Sequence, residues 1–209
     1  MILPPEFRGV AFGTRSQGDG RSDGGIRTSI SDSLGISPHW ATVTQIHSSR
    51  VVFASEPGHY GNADALVTDV PGLPIVIATA DCVPVVLIAE RTRAVVHAGW
   101  RGVAAGVVSE ALSMLRARGD EPEAALLGPH IGPCCYEVGR EVVEAIGGFA
   151  RSTRTGTTSV DLAAAIVAQL EDIPVTDLGR CTHDDPRLAS YREDGTSDRQ
   201  VTITWVPRD

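Results

Sequence analysis

The chain has 209 residues, 18 of them basic and 26 acidic, for a formal net charge of −8, with 42% hydrophobic and 21% charged residues. That size and balance suit a single domain over residues 1–209, are too apolar for intrinsic disorder, and include no run near the ~20 apolar residues of a membrane span. Every basic residue is arginine, which removes Schiff-base lysine chemistry and the lysine-dependent phosphate loop; an acidic chain without a basic block is also a poor nucleic-acid binder.

The N-terminal stretch Met1 to Arg8 has no apolar signal-like core, so a cytoplasmic location is expected. The four cysteines, Cys82, Cys134, Cys135 and Cys181, are then expected as free thiols, small and buried by default. Cys134 and Cys135 are adjacent and could bridge each other only with strain.

In chain order, Thr14 to Gly35 is rich in Gly, Ser, Asp and Arg and reads as an irregular loop. Strands are predicted over Ala41 to Ile46 and Val51 to Ala54, and then as short Val/Ile-rich runs at Leu73 to Ala78, Val83 to Ala89 and Ala94 to Val96. Val103, Val107, Ala111, Met114 and Leu115 fall on one helical stripe, closed by Arg116, Arg118 and Gly119. A further strand is predicted at Ala124 to Leu127, a Gly/Pro loop over 128–133, a helix over Val138 to Ile146, and a helix from Asp161 as N-cap to Leu170. The last strand is predicted at Val201 to Val206. The pattern is mixed α/β (α+β) in one domain.

Reactive side chains collect at the ends of the apolar strands, in Gln45-Ile46-His47, Ala80-Asp81-Cys82 and His97-Ala98-Gly99-Trp100-Arg101-Gly102. If 83–89 and 92–96 form a hairpin turning near Glu90 and Arg91, Cys82 faces Gly99 and His97 lies about 7 Å away on the diagonal, a gap that one zinc ion can span. A metal site, a Cys/His nucleophilic pair and a purely structural pair all fit that spacing. Arg101 and Gly102, opening a helix, form a candidate anion site, while the glycines alone would also serve a tight strand-to-helix turn. Asp81 could orient a ligand or carry a proton, or simply form a turn. Arg15 and Arg192 are further substrate candidates, and His130 is the one histidine near Cys134 and Cys135. His39, His59 and His183 carry no constellation.

The strings QIHSSRV (45–51), ADALVT (63–68), TADCVPV (79–85), HAGWRG (97–102), GPHIGPCCYEVG (128–139) and SYREDGTSDR (190–199), in this order, resemble the laccase-domain family. Its members are also called peptidoglycan editing factors or YfiH-type zinc-dependent purine nucleoside phosphorylases. The resemblance implies a single-domain α-β-β-α layered sandwich, similar to the catalytic domain of bacterial deamidating toxins. It implies zinc, with copper as the older alternative, held by His47, Cys82 and His97; Asp81, from its place beside Cys82, joins these three as the expected catalytic residues. It also implies phosphorolysis of adenosine, inosine and methylthioadenosine, and adenosine deamination, so the expected partners are purine nucleosides and phosphate. The cytidine-deaminase signature is absent, so deamination here would use another design. The family usually has Gly where this chain has Ser48. Competing expectations are a copper-dependent polyphenol oxidase, a Cys82/His97 hydrolase or amidase, and a non-enzymatic cell-wall partner.

Overall fold

The computed structural model describes residues 1–208. Strand β1 (Val10–Phe12) leads through a 3-10 turn (Arg15–Gln17) into helix α1 (Gly24–Leu34). Strands β2 (Ala41–Thr44), β3 (Val51–Phe53), β4 (Gly58–Asn62), β5 (Ala65–Thr68), β6 (Ile75–Thr79), β7 (Val83–Ala89) and β8 (Arg93–Ala98) follow. Then come helices α2 (Trp100–Ala104) and α3 (Val107–Arg116), strand β9 (Pro122–Leu127) and helix α4 (Arg140–Ile146). Strands β10 (Ala150–Ser152) and β11 (Thr158–Val160), helix α5 (Leu162–Gln169), strand β12 (Val175–Asp177), helix α6 (Tyr191–Asp194) and strand β13 (Gln200–Thr204) complete the chain.

Two sheets stack face to face, one of order β1-β13-β6-β2-β4 and one of order β12-β9-β7-β8-β5-β3. Their facing sides bury Phe12, Val43, Ile75, Ile77, Leu66, Val86, Val95 and Leu126. The outer face of the five-stranded sheet buries Val76, Ala78, Val201 and Ile203 under Ile30 and Trp40, with α1 as cover. The outer face of the six-stranded sheet packs Val85, Leu87, Val96 and Leu127 against Val103, Val107, Ala111 and Leu115 and against Leu162 and Ile166 of α5. The layer order is therefore α-β-β-α. Strands β7 and β8 are buried along their whole length, which is why they read as unbroken Val-rich runs.

The irregular loop expected over Thr14 to Gly35 contains α1. Asp23 caps that helix by accepting from the Gly25 and Ile26 amides, and Ile26, Ile30 and Leu34 pack against the core around Trp40. The helix predicted from Val103 starts earlier, at Trp100, and breaks at Gly106, whose φ of +82° no helix interior accepts; the buried stripe then resumes in α3. Asp161 caps α5 as expected, accepting from the Ala164 amide.

A candidate metal centre at the end of the six-stranded sheet

Strand β7 starts and β8 ends at the same edge of the sheet. Pairing of Val83 with Ala98 and Pro84 with His97 carries on to set Cys82 opposite Gly99. Strand β5 runs antiparallel to β8, Ala65 opposite Val96, so the preceding Asp64 meets His97 and its carbonyl accepts the His97 amide at 2.7 Å. The loop from β2 to β3 crosses between the two sheets at this edge and carries His47. Three distant stretches of chain thus deliver an imidazole, a thiol and an imidazole to one place.

Cys82 Sγ lies 3.9 Å from His47 Nε2, and one donor atom from each of His47, Cys82 and His97 falls within 4.8 Å of the others. Tetrahedral zinc with bonds of about 2.3 Å to sulfur and 2.0 Å to nitrogen needs an S···N separation of about 3.5 Å, a few tenths from what is present. The His47 and His97 rings meet edge-on with centroids 4.7 Å apart. A Cβ on Gly99 would stand 2.9 Å from His47 Cδ2 and 3.0 Å from Cys82 Sγ, so only glycine leaves the donors this close. His97 is buried, Cys82 half-buried and His47 exposed, and the cluster is reachable from solvent on the His47 side. The donor set fits a divalent ion with one open position.

Asp64, fully buried, organises the cluster, and the sequence reading did not single it out. Its Oδ1 accepts from His97 Nδ1 at 2.8 Å and from the amides of His47 (2.9 Å) and Ile46 (3.1 Å). Its Oδ2 accepts from the Ser48 amide (2.6 Å) and hydroxyl (2.7 Å). One carboxylate therefore turns His97 Nε2 toward the cluster and cradles the loop in which His47 sits at φ +59°, a left-handed conformation that costs a non-glycine residue of order 1 kcal/mol. The hydroxyl of Ser48 gives that carboxylate one donor more than a glycine there would supply. Burial raises the Asp64 acid, but bonds from His97 and Ser48 override it and hold it down to about 2. Burial lowers the His97 imidazole, yet Asp64 and Cys82 bring it up to about 9. Burial raises the Cys82 thiol, and the two imidazoles more than reverse that, to about 6. The pair is poised as thiolate and imidazolium, which is the ionisation a cation would exploit at the sulfur.

The remaining sequence candidates divide. Asp81 is buried at φ +90°, and its carboxylate accepts from Thr182 Oγ1 (2.7 Å), Ser190 Oγ (2.6 Å) and the Arg192 amide (2.8 Å). Those three bonds tie the 182–192 segment to the site, and Asp81 lines the cavity beside Cys82, with one acceptor position left on Oδ2. Arg15 is ion-paired to Asp194 and Asp198 and lines a different cavity. Gly102 is buried and packs closely, with the Ser48 carbonyl 3.0 Å from where its Cβ would be, and it lines neither of the two cavities beside the cluster. Arg101 and Arg192 do line the cleft beside the cluster. His130 is buried with Nδ1 on the Gly128 carbonyl and is no partner of Cys134 or Cys135. His59 bonds Thr42 and Thr44 in the cavity on the other side of the cluster.

Two cavities flank the donors. One, of about 450 Å³, includes Thr42, Thr44, Gln45 and His59. The other, of about 350 Å³, is walled by Trp100, Tyr136 and Tyr191 and by Arg101, Arg192 and Arg199. The Arg101 guanidinium lies 4.2 Å from the Trp100 ring centroid and that of Arg192 lies 5.0 Å from Tyr136. None of these three arginines has a carboxylate ion pair among the described residues, in contrast to Arg15. Tyr136, Tyr191 and Arg199 went unremarked in sequence, although each lies inside a string that carried the resemblance.

The chain is 37% identical over 177 residues to a purine nucleoside phosphorylase of Mycobacterium tuberculosis, covering 78% of this chain and 71% of that one. It is 34% identical over 199 residues to a purine nucleoside phosphorylase of Corynebacterium glutamicum (88% and 81%), and 34% identical over 215 residues to one of Pseudomonas aeruginosa (96% and 87%). The crystal structure of YlmD from Geobacillus stearothermophilus superposes with a TM-score of 0.86 at 25% identity, covering 98% of this chain and 94% of that one. Bacillus licheniformis YfiH shares the fold at a TM-score of 0.86 and 23% identity (94% and 92%). Residues 5–207 match the family described as multi-copper polyphenol oxidoreductase laccase, and the chain belongs to that family.

Proposed function

We propose that this chain is a zinc-dependent purine nucleoside phosphorylase. An oxygen of inorganic phosphate bonds to C1′ of the nucleoside as the C1′–N9 bond breaks; the bonding pair leaves with the purine, which takes up a proton. The observation that carries this reading is the cavity beside the cluster, where three arginines whose guanidinium groups make no carboxylate ion pair among the described residues, and three aromatic rings, stand with Asp81 around His47 and Cys82. Its volume, about 350 Å³, lies in the range of small-molecule sites, about 300–1,000 Å³. The names of relatives at 34–37% identity support the same activity.

In this reading Arg101, Arg192 and Arg199 hold phosphate, each guanidinium able to grip two oxygens and to lower the repulsion between phosphate and cleft. Trp100, Tyr136 and Tyr191 offer faces to the purine. Burial, with the negative charge of Cys82, pushes the Tyr136 phenol up to about 12, so it stays protonated and can donate to a purine nitrogen as charge gathers on the leaving base. His47, Cys82 and His97 hold the ion, which when bound supplies a Lewis acid for that charge. Asp64 orients the His97 imidazole and holds the backbone of the loop that carries His47, and Asp81 fixes the segment that carries Arg192. Adenosine, inosine and methylthioadenosine are the substrates to compare. Adenosine deamination, with water replacing the amino group at C6 and ammonia leaving, is a second reaction of the same cleft, reached by water on the exposed His47 side.

The family's description names copper, and two imidazoles with one thiolate also suit a mononuclear copper ion. A thioether axial ligand is absent here: Met1 packs under α1 and Met114 against the helical face of the six-stranded sheet. The test is metal analysis of protein purified without chelator, then chromatography of each nucleoside incubated with and without phosphate. Free base released only with phosphate supports phosphorolysis, inosine formed from adenosine without phosphate supports deamination, and nucleosides left intact alongside turnover of phenols by copper-loaded protein would reject the proposal.

A further inference from the structure

A second group of soft donors lies outside the site just described. Cys134 and Cys135 sit in the turn after the 128–133 loop, and Cys181 and Asp184 sit in the segment before α6. Cys134 Sγ is 3.1 Å from Cys135 Sγ and 4.0 Å from Cys181 Sγ, and Cys135 Sγ is 3.5 Å from Asp184 Oδ1. All four donors fall within 4.8 Å of one another. Tetrahedral coordination with metal–sulfur bonds of about 2.3 Å sets sulfurs about 3.8 Å apart, so one pair is already at that spacing and the adjacent pair needs to open by several tenths of an ångström.

The surroundings are those of a thiolate centre. The Gly132 amide donates to Cys181 Sγ at 3.3 Å, and Arg154 donates to Cys134 Sγ at 3.4 Å while pairing with the Asp184 carboxylate. N–H donors of this kind stabilise sulfur anions and orient them. A Cβ on Gly132 would come within 3.3 Å of Cys134 Sγ and 3.7 Å of Cys181 Sγ, so glycine keeps the space between the sulfurs open. Three thiolates and a carboxylate around a dication leave two negative charges, one of which Arg154 offsets. The thiols are half-buried and Asp184 is exposed, which gives an ion a way in.

The geometry points to a second metal site in this chain, in which Cys134, Cys135, Cys181 and Asp184 bind a thiophilic d¹⁰ divalent cation, zinc being the probe. Binding replaces the thiol protons, which pass to solvent. The site shares no residue with the His47, Cys82 and His97 cluster. Its two parent segments are already stitched by the His130–Cys181 bridge, and they carry Tyr136 and Arg192, two walls of the arginine-lined cavity. Its role is that of a staple holding those walls.

The experiment is zinc stoichiometry and cobalt substitution on the full chain. Wild type is expected to bind two equivalents of zinc, C82S one, and C134S/C181S one. Cobalt-loaded C82S, whose second cluster is intact, is expected to show the near-ultraviolet thiolate-to-cobalt charge-transfer band, lost when C134S/C181S is added. Because C82S leaves the second cluster untouched, the result stands even where C134S/C181S fails to fold. A C82S protein without metal and without that band overturns the inference. So does an intact mass lower by two hydrogens in freshly isolated wild type, with a disulfide between Cys134 and Cys135.

Discussion

Replacing Asp64 by Asn keeps the shape of the side chain and removes its charge, which isolates what the carboxylate does. In the wild type all five donors, from Ile46, His47, Ser48 (twice) and His97, find an anionic oxygen. An amide can accept on one side only. With its oxygen toward His97, its NH₂ faces the Ser48 amide, which is left unsatisfied; with the amide flipped, His97 Nδ1 loses its acceptor. One orphaned buried N–H costs about 1–3 kcal/mol, and the surviving bonds lose their charge assistance. A loss of about 2 kcal/mol lowers Tm by roughly 4–8 °C in a chain of this length. Loss of the acceptor that orients a metal-binding imidazole weakens the metal by roughly 10–100-fold. The assays are thermal unfolding of metal-free protein and competition for zinc against a chromophoric chelator. A variant that melts lower but binds zinc as tightly as wild type would refute the positioning role of Asp64, and one unchanged in both would refute its place in the cluster.

Gly99→Ala adds a carbon 2.9 Å from His47 and 3.0 Å from Cys82, where about 3.5 Å or more is needed; zinc affinity is expected to fall more than tenfold while the fold survives, as read by circular dichroism. In metal-free protein the depressed Cys82 thiol is stabilised above its ordinary range and loses that stabilisation as pH falls through about 6. The raised His97 imidazole is stabilised below its ordinary range and loses it as pH rises through about 9, so the ion pair exists between those limits. Alkylation of the Cys82 peptide, followed by mass spectrometry, should show its midpoint near 6; a midpoint near the usual thiol value contradicts the geometry. Arg101→Ala, at an exposed guanidinium, is expected to raise KM for phosphate with little change in KM for inosine; the reverse pattern would move phosphate elsewhere.

The central strands were legible because burial on both faces leaves continuous apolar runs, as in β7 and β8. Helix α1 was not, because its three core residues, Ile26, Ile30 and Leu34, are separated by Arg, Thr, Ser and Asp, and the Asp23 cap with Gly24 and Gly25 after it resembles loop composition. Strand β4, Gly58–Asn62, is an edge strand of mostly exposed residues and has no apolar alternation to read. In the site, Cys82 and His97 follow from one hairpin register. Asp64 depends on a second register, β5 against β8, bringing together residues 33 apart, and nothing local marks it. The cavity walls are further removed: Arg192 stands where it does because Asp81 holds a segment more than a hundred residues away. Contacts of that range are set by tertiary packing.

The most direct measurement is ³¹P NMR of inosine and inorganic phosphate incubated with the zinc-loaded protein. The account predicts a ribose 1-phosphate resonance growing in step with free hypoxanthine, and neither product from C82A or H97A. Hypoxanthine appearing without the sugar phosphate, or both variants turning over at the wild-type rate, would contradict it.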